Sequence, residues 1–75
     1  MELNAFSNID QYIFEFDFED GTHKIVDIAP LVQSKVSLED IKSAHIDSEW
    51  GCLEFNDGMI DIDPKTLYSF VLKAS

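Results

Sequence analysis

A strict alternation of aromatic and acidic residues is the feature that most constrains the fold of this chain. Between residues 12 and 18 every even-numbered position is Tyr or Phe, and the odd-numbered positions from 15 to 19 are all Glu or Asp. Successive side chains of a β-strand point to opposite faces. The segment therefore predicts a strand with a buried aromatic face and an acidic face turned to solvent.

The turn sequence Asp20-Gly21 follows this strand and predicts a β-hairpin with residues 22–28 as the returning strand. A two-residue turn would pair core residues with solvent-facing ones. A three-residue loop over Glu19–Gly21, with the glycine in a left-handed conformation, instead sets Phe14 opposite Val26 and keeps the apolar residues on one face. The three-residue loop is therefore predicted.

A second hairpin is predicted near the C-terminus. Its strands are Cys52–Phe55 and Met59–Ile62, joined by a two-residue turn at Asp57-Gly58. This register places Glu54 directly opposite Asp61, a pair of like charges that costs stability.

Weaker signals predict the remaining elements. Pro30 starts a helical turn, Ser37 caps a short helix, and residues 44–47 form a linking strand. Asp63-Pro64 is an N-cap followed by proline at the first helical position, which predicts a C-terminal helix. Residues 1–11 show no periodicity and are predicted to be a lead-in segment. The predicted fold is a two-layer α+β domain, with a mostly antiparallel sheet of two hairpins and the linking strand packed against the C-terminal helix.

Length and composition restrict the chain to one domain over residues 1–75. Hydrophobic residues make up 45% of the chain, which is too many for a disordered acidic tail. Cys52 is the one cysteine, so an internal disulfide is excluded and a reducing cytoplasm is expected. The acidic N-terminus does not resemble a signal peptide, and no apolar run reaches the roughly 20 residues of a membrane span. We therefore expect a soluble, cytoplasmic protein.

The net charge of −10 restricts the partners that the chain can bind. Such a field repels nucleic-acid phosphates and anionic lipids, so neither is an expected partner. It would accelerate encounter with a basic protein surface. It also exceeds the magnitude of about 2–8 that suffices to keep a small domain dispersed. The expected partner is a basic, nucleic-acid-binding protein, and the chain itself is expected to be a monomer.

Three segments of the chain resemble a known family. The hairpin with Asp20-Gly21, the stretch Val26–Leu31 and the closing segment Asn56–Tyr68, with its Asp-Pro-x-x-Leu-Tyr element, are similar to a small bacterial family of domains of unknown function. The resemblance extends over most of residues 12–70. It implies a compact α+β module that occurs alone, fused to helix-turn-helix domains or beside genes of toxin–antitoxin type, and it implies no catalytic residues.

Catalytic and metal-binding interpretations of the sequence are weak. Cys52 with His23 or His45 could form a nucleophile and base, but no third orienting group stands at a recognisable spacing. The carboxylates recur at every second position of the strands, so they follow a line rather than converge on an ion. The pair Glu54 and Asp61 lacks the cleft that acid–base chemistry on a glycoside requires. We expect no enzyme activity, no cofactor and no bound metal.

The acidic face of the sheet is the strongest candidate for function. Trp50, beside a glycine in a predicted turn, either caps the core or forms an exposed aromatic anchor for a partner. The predicted partner-binding residues are Glu15, Asp17, Glu19, Asp20, Asp27, Glu54, Asp57, Asp61 and Trp50. We expect a non-enzymatic inhibitor that occupies the basic nucleic-acid-binding surface of its partner, of the DNA-mimic type seen among phage anti-CRISPR proteins. The alternative is an antitoxin-like or regulatory partner module.

Overall fold

The computed structural model describes residues 2–74, which contain six β-strands in two antiparallel three-stranded sheets, two α-helices and a 3-10 helix. This architecture confirms the predicted α+β class. In chain order the elements are β1 Leu3–Asp10, β2 Ile13–Phe18, β3 His23–Asp27, α1 Ala29–Val32, the 3-10 helix Asp40–Ser43, β4 His45–Ile46, β5 Leu53–Phe55, β6 Ile60–Ile62 and α2 Pro64–Ala74.

The first sheet has the strand order β1-β2-β3 and contains the predicted aromatic hairpin. Phe14 pairs with Val26, which is the predicted register. The amide of Phe18 donates to the Thr22 carbonyl at 2.9 Å, and the amide of Gly21 donates to the Phe18 carbonyl at 2.9 Å. Gly21 has φ of +90°, a conformation that glycine adopts at low cost. The three-residue loop is confirmed.

The predicted lead-in segment, residues 1–11, contains a strand that the sequence pattern did not predict: β1 occupies most of it and pairs with β2. Leu3 is buried and Phe6 packs against the core although the two are three residues apart. A register shift between Leu3 and Ala5 inserts one residue into the strand and restores the pairing. A second shift lies between Asn8 and Asp10. These irregularities remove the alternation by which a strand is recognised in a sequence.

The second sheet has the order β4-β5-β6 and contains the other predicted hairpin. Leu53 pairs with Ile62, as predicted. The Met59 amide donates to the Asn56 carbonyl at 3.2 Å across the turn. The φ angles of Asp57 and Gly58, 56° and 87°, match a type I′ turn, so the two-residue turn is confirmed.

The sequence pattern alone predicts one sheet, whereas the strands separate into two sheets that share one core. The linking strand is reduced to His45–Ile46 and pairs with β5 alone. Phe14 of the first sheet meets Phe55 of the second edge to face, with ring centroids 6.3 Å apart. Side chains of both sheets and of α2 thus share one core. The buried core consists of Leu3, Phe14, Phe16, Phe18, Val26, Ile28, Val32, Val36, Ile41, Leu53, Phe55, Ile62, Leu67 and Val71.

The predicted Asp63 cap of α2 is confirmed, whereas Ser37 is not the N-cap of the 3-10 helix, which begins after Glu39 without a side-chain cap. The Thr66 amide donates to Asp63 Oδ1 at 2.8 Å, and these backbone and hydroxyl bonds from Thr66 lower the pKa of Asp63. Helix α2 buries Leu67 and Val71 against the sheets. The Asp40 amide donates to Ser37 Oγ at 3.3 Å, but the helix that follows is a single 3-10 turn.

Candidate functional site

Three of the predicted acidic residues lie on the outer face of the first sheet. Glu15, Asp17 and Asp27 all point away from the aromatic core, because the alternation that buries Phe14 and Phe16 turns them outward. The side chain of Asp17 is 57% exposed, whereas that of Glu15 is 37% exposed.

This outer face also carries a histidine, which makes it less uniformly acidic than the sequence pattern suggests. His23 Nε2 lies 2.6 Å from Glu15 Oε2 and 4.0 Å from Asp17 Oδ1. Ile25, 58% exposed, is the cross-strand partner of Glu15. Asp27 is partly committed to the backbone, since its Oδ1 accepts a hydrogen bond from the Ala29 amide at 2.9 Å. Asp17 is therefore the most available carboxylate of this face.

Glu54 and Asp61 lie on the second sheet, so the structure does not bring all the predicted acidic residues onto one surface. They face each other across β5 and β6 as predicted, and Asp57 lies in the turn between these strands. The side chain of Glu54 is only 18% exposed, and its Oε1 lies 2.8 Å from Nε2 of His45. Gly58 lies beside this carboxylate, but a Cβ there would make only an ordinary contact of 3.6 Å with Glu54 Oε2, so its φ of +87° rather than lack of space favours glycine.

His45 is the neighbour of Glu54 that the sequence did not reveal. Its Nδ1 lies 3.1 Å from the Ser43 carbonyl, and its Nε2 faces Glu54. The Ser43 carbonyl and then the Glu54 and Asp57 carboxylates raise the pKa of His45, because each stabilises the imidazolium. When His45 is protonated, its positive charge therefore reduces the repulsion between Glu54 and Asp61.

Asp20 has a structural role that the sequence did not predict. Its Oδ2 accepts a hydrogen bond from the Tyr68 hydroxyl at 2.6 Å, and its Oδ1 accepts one from the Thr22 amide at 2.9 Å. The bond from Tyr68 and then those from Thr22 lower the pKa of Asp20. Glu19, next to it, accepts a bond from the Glu2 amide at 3.1 Å. These two carboxylates therefore hold the hairpin loop to its surroundings.

The acidic side chains are not neutralised by lysines. The chain has five lysines and no arginine. Within residues 2–74 no lysine ammonium lies within 4 Å of a carboxylate, and the ion pairs found there are those of His23 and His45. On the two sheet faces, the recorded partners of these carboxylates are therefore histidines rather than lysines.

Trp50 is exposed to 75%, which answers the question that the sequence left open. It lies in a turn held by Asp47, whose Oδ2 accepts the Trp50 amide at 2.8 Å and whose carbonyl accepts the Gly51 amide at 2.8 Å. Gly51 has φ of +72°, and a Cβ there would lie 3.8 Å from Cγ of Pro64. The indole is thus presented outward on a well-defined turn.

Within residues 2–74, neither His23 nor His45 forms a hydrogen bond with Cys52, so the structure does not place a base beside this thiol. Burial, and then the charges of Asp61, Asp47 and other carboxylates, raise the pKa of the Cys52 thiol. A thiol in such surroundings stays protonated at neutral pH and is a poor nucleophile.

A shallow groove of about 550 Å³ runs along α2 and was not predicted. Leu31 and Phe70 form its apolar part, while Lys65 and Lys73 bring two of the five lysines to it. Within residues 2–74 no three His, Cys, Asp or Glu side chains converge as a metal site. No helix of the same range is long and apolar enough to cross a bilayer.

Comparison with known proteins identifies one family. A family model described as "Protein of unknown function (DUF2442)" matches residues 4–71. No curated protein and no solved structure matches the chain. The matched range includes both hairpins and most of α2.

Proposed function

The chain belongs to the DUF2442 family, whose description names no function, and we propose that it acts by binding another protein rather than by catalysis. In this proposal it is an inhibitor that occupies a basic nucleic-acid-binding surface of its partner and excludes the nucleic acid. DNA mimics such as phage anti-CRISPR proteins act in this way, and the comparison is one of physical character only.

The observation that carries the proposal is the row of carboxylates on the outer face of the first sheet, which no lysine of residues 2–74 neutralises. Glu15 and Asp17 are held two residues apart on a strand, a separation of about 6.6 Å. No lysine within residues 2–74 pairs with either of them. A rigid row of carboxylates on a body of charge −10 attracts a basic groove and repels nucleic acid and anionic membranes. The same repulsion disfavours self-association, so we propose a monomer acting in the cytoplasm.

Charge reversal on this row tests the proposal. The partner is first captured from cells that express the chain, and binding is shown to compete with nucleic acid. We then expect Glu15→Lys with Asp17→Lys to slow association strongly and to reduce its dependence on salt, because electrostatic steering acts mainly on the association rate.

The matched control is Glu39→Lys with Asp40→Lys. Each acid-to-lysine substitution adds two positive charges, so either pair changes the net charge from −10 to −6. Glu39 and Asp40 lie at the start of the 3-10 helix, which packs on β5 of the second sheet, so they are not part of the row formed by Glu15 and Asp17. If both pairs slow binding equally, the row has no special role. Binding that is insensitive to salt and to either pair contradicts the proposal.

An antitoxin-like or regulatory module is the alternative, and the exposure of Trp50 favours it. Charge mimicry needs no aromatic anchor, whereas a tight protein interface is often centred on an exposed Trp. The family resemblance adds the expectation of a bacterial gene beside a toxin gene or fused to a helix-turn-helix domain. Co-expression with a neighbouring small basic protein tests this. Rescue of growth that Trp50→Ala abolishes and Asp17→Lys does not would favour the antitoxin-like function.

A further inference from the structure

Among the edge strands of the two sheets, β1 is the longest, and its protection against pairing with another chain is limited to the register shifts on either side of Ala5–Asn8. Edge strands are commonly protected by charge, proline or short length. Strand β3 carries the charged residues Lys24 and Asp27, and β4 and β6 have only two and three residues. Strand β1 has eight residues, with no charged residue and no proline from Leu3 to Ile9. Its central stretch, Ala5–Asn8, is free of register shifts.

The hydrogen-bond pattern shows which groups of β1 point outward. Phe18 bonds to Thr22, and the Ile28 amide bonds to the Tyr12 carbonyl, so the even-numbered residues of β2 bond toward β3. In an antiparallel ladder the intervening residues bond to the other neighbour. Glu15 and Asp17 therefore pair with Ser7 and Ala5 of β1.

It follows that Phe6 and Asn8 direct their amide and carbonyl groups away from the sheet. These four groups lie on a straight, regular stretch of the outermost strand. They form a template for one further antiparallel or parallel strand.

The side chains beside this edge indicate the chemistry of the strand that it would accept. On the inner side, Phe6 is half-buried against Phe14, with ring centroids 5.9 Å apart, and an apolar side chain would complete its cover. On the outer side, Ala5 lies directly beside Asp17, and Ser7 lies beside Glu15.

Small residues at these two positions leave the carboxylates within reach of an added strand. That strand would run about 9–10 Å from β2, because neighbouring strands are about 4.8 Å apart. A Lys or Arg can cover that distance by extending over Ala5 to Asp17, whose side chain is 57% exposed. An acidic or bulky side chain would be less favourable there.

We propose that the free edge of β1 binds an extended segment of the partner protein in which Lys or Arg alternates with apolar residues. This inference rests on the proposed function, since it specifies how the acidic row is engaged. The partner's backbone pairs with Phe6 and Asn8, its basic side chains reach Asp17 and Glu15, and its apolar side chains cover Phe6.

Amide hydrogen exchange at single residues tests the inference. The probe is a nine-residue peptide of alternating Lys and Val, blocked at both ends. In the free protein we expect fast exchange at Phe6 and Asn8 and slow exchange at Ala5 and Ser7. The peptide should slow exchange at Phe6 and Asn8 and leave Ala5 and Ser7 nearly unchanged. A peptide of the same composition with its lysines grouped together should protect much less.

Two variants separate strand addition from simple charge attraction. Glu15→Gln with Asp17→Asn should weaken binding of the alternating peptide about three- to tenfold, whereas Glu39→Gln with Asp40→Asn, which removes the same two charges, should not. A synthetic chain with an N-methylated Phe6 amide loses one outward donor and keeps its side chain. It should lose protection at Asn8, while slow exchange at Ala5 and Ser7 shows that it is folded.

Three results would overturn the inference. Peptide binding that shifts the signals of Glu15 and Asp17 without protecting Phe6 and Asn8 would exclude strand addition and leave the proposed function standing. If an alternating Thr-Val peptide protected the Phe6 and Asn8 amides as well as the Lys-Val peptide does, the requirement for basic residues in the bound segment would be excluded. Protection that rises with protein concentration in the absence of peptide would assign the edge to a second copy of this chain.

Discussion

The hydroxyl of Tyr68 donates a 2.6 Å hydrogen bond to Oδ2 of Asp20, joining the C-terminal helix to the loop of the first hairpin. The ring of Tyr68 also packs edge to face on Phe18, with centroids 5.0 Å apart. Asp20 and Tyr68 belong to two of the three segments on which the family resemblance rests. Their contact gives that resemblance a physical reason, because it fixes α2 against the hairpin.

Tyr68→Phe should lower the melting temperature at neutral pH, and the loss should shrink in acid. The hydrogen bonds to Asp20 lower its folded pKa, so their stabilisation is complete above the unfolded value and is lost as pH falls through the folded one. Thermal melts of variant and wild type should therefore converge as pH falls below 3.8, the ordinary value for this group.

Tyr12→Phe is the matched control for this prediction. The Tyr12 hydroxyl donates to the Val36 carbonyl at 2.6 Å, an acceptor that does not titrate. Loss of this hydrogen bond should destabilise the protein equally at neutral pH and below pH 3.8. If the two Phe variants respond to pH in the same way, the Asp20 bond is not the source of the effect.

Phe16→Ala should destabilise the protein by about 3–5 kcal/mol, because Phe16 is fully buried and stacks on Phe14 at 5.6 Å. That is a large part of the stability of a small domain. Ile25→Ala, on the outer face of the same sheet, should change stability by less than about 0.5 kcal/mol. Urea denaturation measures both. Similar losses for the two variants would contradict the assignment of faces.

Asp61→Thr should stabilise the protein by about 0.2–1 kcal/mol, because it removes the like-charge partner of Glu54. The gain should be larger above the pKa of His45 than below it, since protonated His45 partly offsets the charge of Glu54. Asp10→Thr, opposite the uncharged Ile13, is the control and should give no such gain. If the outer face of the second sheet contacts the partner, Asp61→Thr should also weaken binding. A loss of stability would show that the pair is not repulsive.

The pKa of His45 should lie above its ordinary value of 6.5, and Glu54→Gln should bring it part of the way back. The return is partial because the Ser43 carbonyl, the largest cause, remains. A raised folded pKa means that the stabilisation is present at low pH and is lost as pH rises through that value. An NMR titration of the imidazole measures the pKa, with Asp61→Asn as the control that should move it less. A wild-type pKa at or below 6.5 would contradict the geometry.

The sequence predicted both hairpins, because a wrong loop length would have turned Phe14 or Leu53 away from the core. It did not predict β1, whose alternation is interrupted by register shifts on both sides of Ala5–Asn8. The contacts of Tyr68 with Asp20 and of His45 with Glu54 join residues that no local pattern connects. The sequence did not decide whether the Trp50 side chain is exposed, because a residue in a turn beside a glycine can point toward the core or toward solvent. These features depend on how the elements pack, which alternation alone does not encode.

The edge-to-face contact between Phe14 and Phe55 has a consequence for cutting the chain. The fragment 1–36 would hold the first sheet and α1, and the fragment 37–75 would hold the second sheet and α2. Each fragment keeps one apolar sheet face and loses its cover, so neither should fold alone. Mixed together, they should reconstitute the native core. Fused to two proteins of interest, the halves would then report on the proximity of those proteins, with a signal set by how tightly the aromatic face of one half packs on the mainly aliphatic face of the other.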